Sequence, residues 1–163
     1  MEYSQKYSIV QFVEPIQEGF EFQMENWPLH VTFVDVFAVP SEELLIDELT
    51  ASLASEVNLL VVSESYSSFG EGENTIPVTL LQSTPELQSL HDKLIDVLEA
   101  NGAVFNSPQF TRLGFVPHAT YQKNAKLEIG QQIIVKELSL IDMFVGGDWH
   151  KRKVLRNFKL SAE

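Results

Sequence analysis

Residues Leu29–Val39 read LHVTFVDVFAV and stop at Pro40. This run is rich in β-branched and aromatic residues and apolar on both of its alternating faces. Such a segment needs cover on each side, which makes it a central strand of a layered sheet rather than an edge. The rest of the chain has to supply its neighbours and its cover. Tyr7–Val13, ended by Pro15, is a second apolar, β-branched strand. Leu59–Tyr66 and Ile76–Gln82 read as strands of a hairpin around a polar loop that holds Gly70, Gly72 and Asn74. Phe110–Tyr121 contains a further strand, and Ile133–Phe144 with Lys153–Leu160 reads as a last hairpin around Gly146-Gly147-Asp148.

Two helices interrupt the strands. Ser41 is placed as an N-cap, with Glu42 and Glu43 in the first turn where the helix dipole favours acids, and Leu45, Leu49 and Leu53 recur at every fourth residue up to about Glu56. Thr84-Pro85-Glu86 combines an N-cap with proline at the first helical position, and Leu87, Leu90, Leu94, Val97 and Leu98 form a stripe that Asn101-Gly102 ends. The order β-β-α-β-β-α-β-β-β, with strands joined through short turns and only two helices, predicts an α+β fold. No linker or repeat divides residues 1–163, so a single domain is expected. The two halves are loosely alike in their elements.

Cysteine is absent, which excludes a disulfide scaffold, thiolate ligation of zinc or iron–sulfur clusters, and a thiol nucleophile. No apolar run approaches the roughly 18 residues that span a bilayer. The opening residues Met1–Lys6 lack the basic-then-apolar order of a signal peptide, and a cytoplasmic protein is expected. The net charge of −12 is unevenly spread: residues 1–110 carry −16 and residues 111–163 carry +4. A surface this acidic repels long nucleic acid, and an anionic ligand is expected to meet mainly the C-terminal third.

Two of the four histidines lie in matching patterns, Pro28-Leu29-His30-Val31-Thr32-Phe33 and Pro117-His118-Ala119-Thr120-Tyr121. Each is His-x-Thr followed by an aromatic, on an expected strand just after a proline. Residues i and i+2 of a strand share a face, so each motif presents an imidazole beside a hydroxyl from one stiff element. One copy falls in each half of the chain.

These paired motifs resemble the 2H phosphoesterase superfamily, in its 2′-5′ RNA ligase-like (LigT-like) branch. The resemblance covers most of the chain. It implies a bilobal, pseudo-symmetric α+β fold in which two antiparallel-rich sheets form a central cleft, with one motif on each wall and the helices outside. It implies metal-independent chemistry, with no cofactor, on 2′,3′-cyclic phosphates or 2′-5′ phosphodiesters. His30 and His118 would be the acid/base pair, and Thr32 and Thr120 the phosphate-binding hydroxyls. Family members often carry arginine five residues after the second histidine. Here Lys123 stands there, which keeps the charge but loses the bidentate fork.

The residues alone make sense of that chemistry. Opening a cyclic phosphodiester needs a base for water and an acid for the departing ribose oxygen, and imidazoles with ordinary pKa values near about 6.5 serve both at neutral pH. Hydroxyls can donate to the non-bridging oxygens, where charge builds up. No HExxH motif or acidic triad accompanies either motif. Trp149 and Phe115 are candidates for stacking on a base, and Arg112 with Lys151–Lys153 for a positive rim, unless they merely offset local acids. Alternation puts Tyr121 and Lys123 on the face opposite His118, so Lys123 reaches the cleft only if the strand ends or bulges there. His91, beside the stripe of the second helix, is expected at the surface or its boundary. The expected partner is a small nucleotide or short RNA, with no membrane, acting on a monomer. A nucleotide- or RNA-end-binding module that has kept the fold without useful turnover is the alternative.

Overall fold

The computed structural model describes residues 5–123 and 125–161. Met1–Ser4, part of the segment on which the reading of the N-terminus rests, lie outside them. The strands are β1 (Tyr7–Phe12), β2 (Glu21–Gln23), β3 (His30–Ala38), β4 (Leu59–Phe69), β5 (Ile76–Leu81), β6 (Val104–Phe105), β7 (His118–Thr120), β8 (Gln132–Val135), β9 (Glu137–Asp142) and β10 (Lys151–Lys159). The helices are α1 (Glu42–Leu53) and α2 (Pro85–Ala100). Both caps form as the sequence predicts: Ser41 Oγ accepts from Leu44 N at 3.2 Å and Thr84 Oγ1 from Leu87 N at 3.1 Å.

The strands lie in the order β2-β10-β9-β1-β3-β7-β5-β4-β8, with β6 also on β3. The ladders between them are antiparallel. The α+β class is thus as expected, and β3 is central, between β1 and β7. The path falls into two halves that meet where Thr32 of β3 pairs with His118 of β7.

The main core forms where α1 and α2 bury Leu45, Leu49, Leu90 and Leu94 with Ile9, Val31 and Phe37 of the sheet. A smaller cluster holds Val10, Phe12, Phe22, Ile141 and Val154, with Trp27 packed on it. Val10 and Phe12 pair with Thr32 and His30, so this second cluster shares the face of the first motif.

Ile133–Phe144 is two strands rather than the single one expected. β8 pairs with β4 in one half, and β9 pairs with β1 and β10 in the other. The break lies at Lys136, where the Gln11 side chain takes over the backbone bonding: its Oε1 accepts from Lys136 N at 2.8 Å and Glu137 N at 3.0 Å. A buried amide that satisfies two consecutive N–H groups lets the chain cross from one half of the sheet to the other without orphaned donors. The last hairpin is therefore β9–β10, turning through Gly146 and Gly147 at positive φ. β2 escapes the sequence pattern because only its middle residue, Phe22, is buried. In the Phe110–Tyr121 stretch only three residues are strand, preceded by 3₁₀ turns at Pro108–Phe110 and Arg112–Gly114.

Candidate active site

Thr32 of β3 lies opposite His118 of β7, His30 shares the face of Thr32, and Thr120 shares the face of His118. Four polar side chains from two distant segments therefore share one face around a local pseudo-twofold. Thr32, His118 and Thr120 line a cleft of about 390 Å³, walled by Phe69, Phe110, Phe115, Ile76 and Val116, with Asp35 at its side.

Both rings are held in the same way. His30 Nδ1 lies 2.8 Å from Pro28 O, and His118 Nδ1 lies 2.8 Å from Val116 O. A carbonyl oxygen can only accept, so each Nδ1 carries the hydrogen and the neutral ring keeps its lone pair on Nε2. Each ring also leans on an aromatic. Trp27 lies 4.3 Å from His30, centroid to centroid, and Phe69 meets His118 edge-on at 4.7 Å.

The two sites differ in their fields. His30 is only 6% exposed, and burial pushes its pKa down to about 4 against the pull of the Pro28 carbonyl, with His118 adding a like-charge penalty. His118 is half-buried. Its pKa is also lowered by burial, but the Val116 carbonyl and the Asp35 carboxylate both favour its charged form. Among the described residues, no group of three or more His, Asp or Glu side chains is arranged to hold a metal ion.

A family model for the 2′-5′ RNA ligase superfamily matches residues 6–141. The chain belongs to the 2′-5′ RNA ligase superfamily. Its fold is that of the LigT-like 2H phosphoesterases. A solved phosphoesterase aligns with a TM-score of 0.61 at 16% identity, covering 96% of this chain and 98% of that one. E. coli LigT complexed with NADP+ aligns at 0.61 and 15%, and LigT complexed with 3′-AMP at 0.59 and 15%, each covering 96% of this chain and 98% of LigT. No curated protein matches. Among the described residues no helix is long and apolar enough to cross a membrane.

Within this LigT-like frame, the cleft gathers Thr32, His118, Thr120 and Phe115 of the residues singled out by sequence, with His30 beside them on β3. Three others stand elsewhere. Lys123 is exposed in a turn after β7 has ended. Trp149 is 56% exposed in the β9–β10 turn, its ring 4.6 Å from that of His150. Arg112 turns its guanidinium to α2, where it pairs with Asp96 at 2.7 Å and with Glu99. Arg152, expected on a positive rim, is buried: its Nη1 donates to the Met143 and Trp149 carbonyls, and its guanidinium lies 5.9 Å over the Trp27 ring.

His91 is not at the surface but 1% exposed. Its Nδ1 donates to Phe33 O at 2.8 Å, its Nε2 accepts from Arg112 N at 3.0 Å, and its ring stacks on Phe115 with centroids 3.9 Å apart. Gln88 Nε2 donates to Arg112 O at 2.7 Å. These bonds hold Arg112 at φ 56, a left-handed conformation unusual for a residue with a side chain, and so fix the wall that carries Phe115 and Val116. The same wall needs glycine at 114, where a Cβ would come within 1.8 Å of Gln109 O. Trp27, Phe69, Phe110, Asp35 and His91 are the site residues that sequence reading does not select. An aromatic or a carboxylate far along the chain from a motif gives no local sign of where it packs.

Proposed function

We propose that this chain is a metal-independent phosphodiesterase that acts on 2′,3′-cyclic phosphates or 2′-5′ linkages of nucleotides and short RNA. The observation that carries the reading is the Thr32–His118 pairing, which gathers both His-x-Thr motifs on one face beside a nucleotide-sized cleft. E. coli LigT complexed with 3′-AMP supports a small nucleotide as the ligand class. The −16 carried by residues 1–110 favours a short substrate over long RNA.

In this mechanism the phosphorus lies between the two Nε2 atoms. Thr32 and Thr120 donate their hydroxyls to the non-bridging oxygens and stabilise the charge that grows there. His30, buried and averse to charge, is the neutral member and takes a proton from the attacking water. His118, with Asp35 at its side, holds the proton that passes to the departing ribose oxygen. Loss of the 3′ oxygen leaves a 2′-phosphate. One histidine has then gained a proton and the other has lost one, and exchange with water resets the pair.

The test is turnover of the four 2′,3′-cyclic nucleotides in EDTA, with the product phosphate position resolved, for wild type, His30→Ala and His118→Ala. Chelator-resistant formation of 2′-phosphates, lost in both variants, is expected. Activity abolished by EDTA, or retained in the variants, overturns the mechanism. Binding without turnover would instead favour a module that only holds nucleotides or RNA ends.

A further inference from the structure

β3 contains two extra residues relative to β1, one between the partners of Val10 and Ile9 and one between the partners of Ile9 and Tyr7. Val10 of β1 faces Thr32, but its neighbour Ile9 faces Val34, so β3 advances two residues where β1 advances one. This is a β-bulge at Phe33, and a bulge re-aims the side chains that follow it. In an unbroken strand Asp35 would point away from Thr32. After the bulge Val34 shares the face of Ile9, and Asp35 returns to the face of Thr32, where both line the same cleft.

The surroundings define what this carboxylate can meet. Asp35 is exposed, and its Oδ1 accepts from Val36 N at 2.8 Å. Among the described residues no lysine or arginine lines the cleft, whose other polar groups are Thr32, His118 and Thr120. The adjoining loop adds Glu71 and Glu73 next to Gly70, which itself lines the cleft. A second phosphate at this end would be repelled. The rest of the wall is flat and apolar: Phe69 and Phe110 are nearly parallel, at 17° with centroids 6.5 Å apart. An aromatic wall beside one carboxylate suits a planar ring that presents N–H donors along its edge. Across the bulge Asp35 stands two positions of β1 beyond Thr32, roughly 7 Å away, so a base whose ribose phosphate meets Thr32 extends toward this carboxylate.

We infer that Asp35 is a specificity-determining residue that accepts hydrogen bonds from the base of the substrate and selects guanine. Guanine offers two adjacent donors, N1–H and N2–H, to one carboxylate. Adenine and cytosine set a ring acceptor beside their amino group, and uracil flanks its single N–H with carbonyls, so each brings a lone pair against the carboxylate. A site built to receive donors rejects analogues that cannot supply them. The inference rests on the phosphodiesterase reading for the nature of the ligand.

The experiment compares kcat/KM for guanosine and adenosine 2′,3′-cyclic phosphates in wild type and Asp35→Asn. Both substrates share the reacting phosphodiester, so any influence of Asp35 on His118 cancels in the ratio. Wild type is expected to prefer guanine by about 10-fold or more, chiefly through KM, and Asp35→Asn to bring the ratio close to one. A wild-type ratio near one, or a preference that survives in Asp35→Asn, overturns the inference. If wild type turns over neither substrate, the phosphodiesterase reading fails by itself. Equilibrium binding of guanosine against adenosine then decides the base site: guanosine-selective binding lost in Asp35→Asn supports it, and equal binding overturns it.

Discussion

The strands β3 and β7 carry the same His-x-Thr pattern in unequal settings. β3 has nine residues and β7 has three. β3 is bulged, lies between β1 and β7, and buries His30 against Trp27 and Phe12. β7 leaves His118 half-buried at the cleft, with the aromatic wall of Phe69 on one side. The hydrogen bond on each Nδ1 is 2.8 Å long, so the motif sets the tautomer and the ring's aim alike in both strands. What differs is the medium around each ring, and under the proposed mechanism this difference would set one ring as the base and the other as the acid. Symmetry of motif brings the groups together, and burial sets their surroundings apart.

The largest effect is on rate: His30→Ala and His118→Ala should each lower kcat by about 10²–10⁴-fold in the cyclic nucleotide assay, since each removes one proton-transfer partner. A variant that retained wild-type kcat would remove that strand from the pair.

The next effect is on stability against pH. Unfolded, His30 takes a proton near 6.5, while in the folded protein it does so only near about 4. Between these values the unfolded chain binds more protons, so the contribution of neutral His30 to stability falls as the pH drops through this window and is gone below it. At about 1.4 kcal/mol per pKa unit, the loss is on the order of 3 kcal/mol. Urea unfolding of wild type and His30→Gln at about pH 7 and about pH 4 checks it: wild type should lose about that much relative to the variant. An unchanging gap would mean that His30 does not resist protonation.

A comparable cost is expected from the wall. His91→Ala leaves Phe33 O and Arg112 N without their partner and opens a gap beside Phe115, which should destabilise by about 2–3 kcal/mol. Its signature would be a lowered urea midpoint, and no change in midpoint would deny His91 this role. The smallest effect is that of Arg112→Ala. Its exposed, solvent-screened pairs with Asp96 and Glu99 should add little stability, and its guanidinium faces α2 rather than the cleft, so kcat/KM should stay within about 2-fold. A large rise in KM would place this guanidinium at the substrate after all.

Much of this molecule could be read along the chain, because the relevant signals are short in range. Helix caps at Ser41 and Thr84, leucines at helical spacing and the apolar run of β3 depend on residues within a few positions of one another. So does the i, i+2 geometry that puts each threonine beside its histidine. Tertiary structure decided the rest. The pairing of Thr32 with His118 joins residues 86 positions apart, and no local pattern encodes that register. Ile133–Phe144 looked like one strand because both of its parts are apolar at alternate positions, and only the Gln11 side chain and the two different partner strands divide it. Arg112 looked available to a phosphate until α2 brought Asp96 and Glu99 to it. Strict alternation hid Asp35, because the bulge that turns it into the cleft exists only in the pairing of β3 with β1. Local spacing determines which groups a segment can present together. Long-range packing determines which groups meet, in what medium, and therefore what each one does.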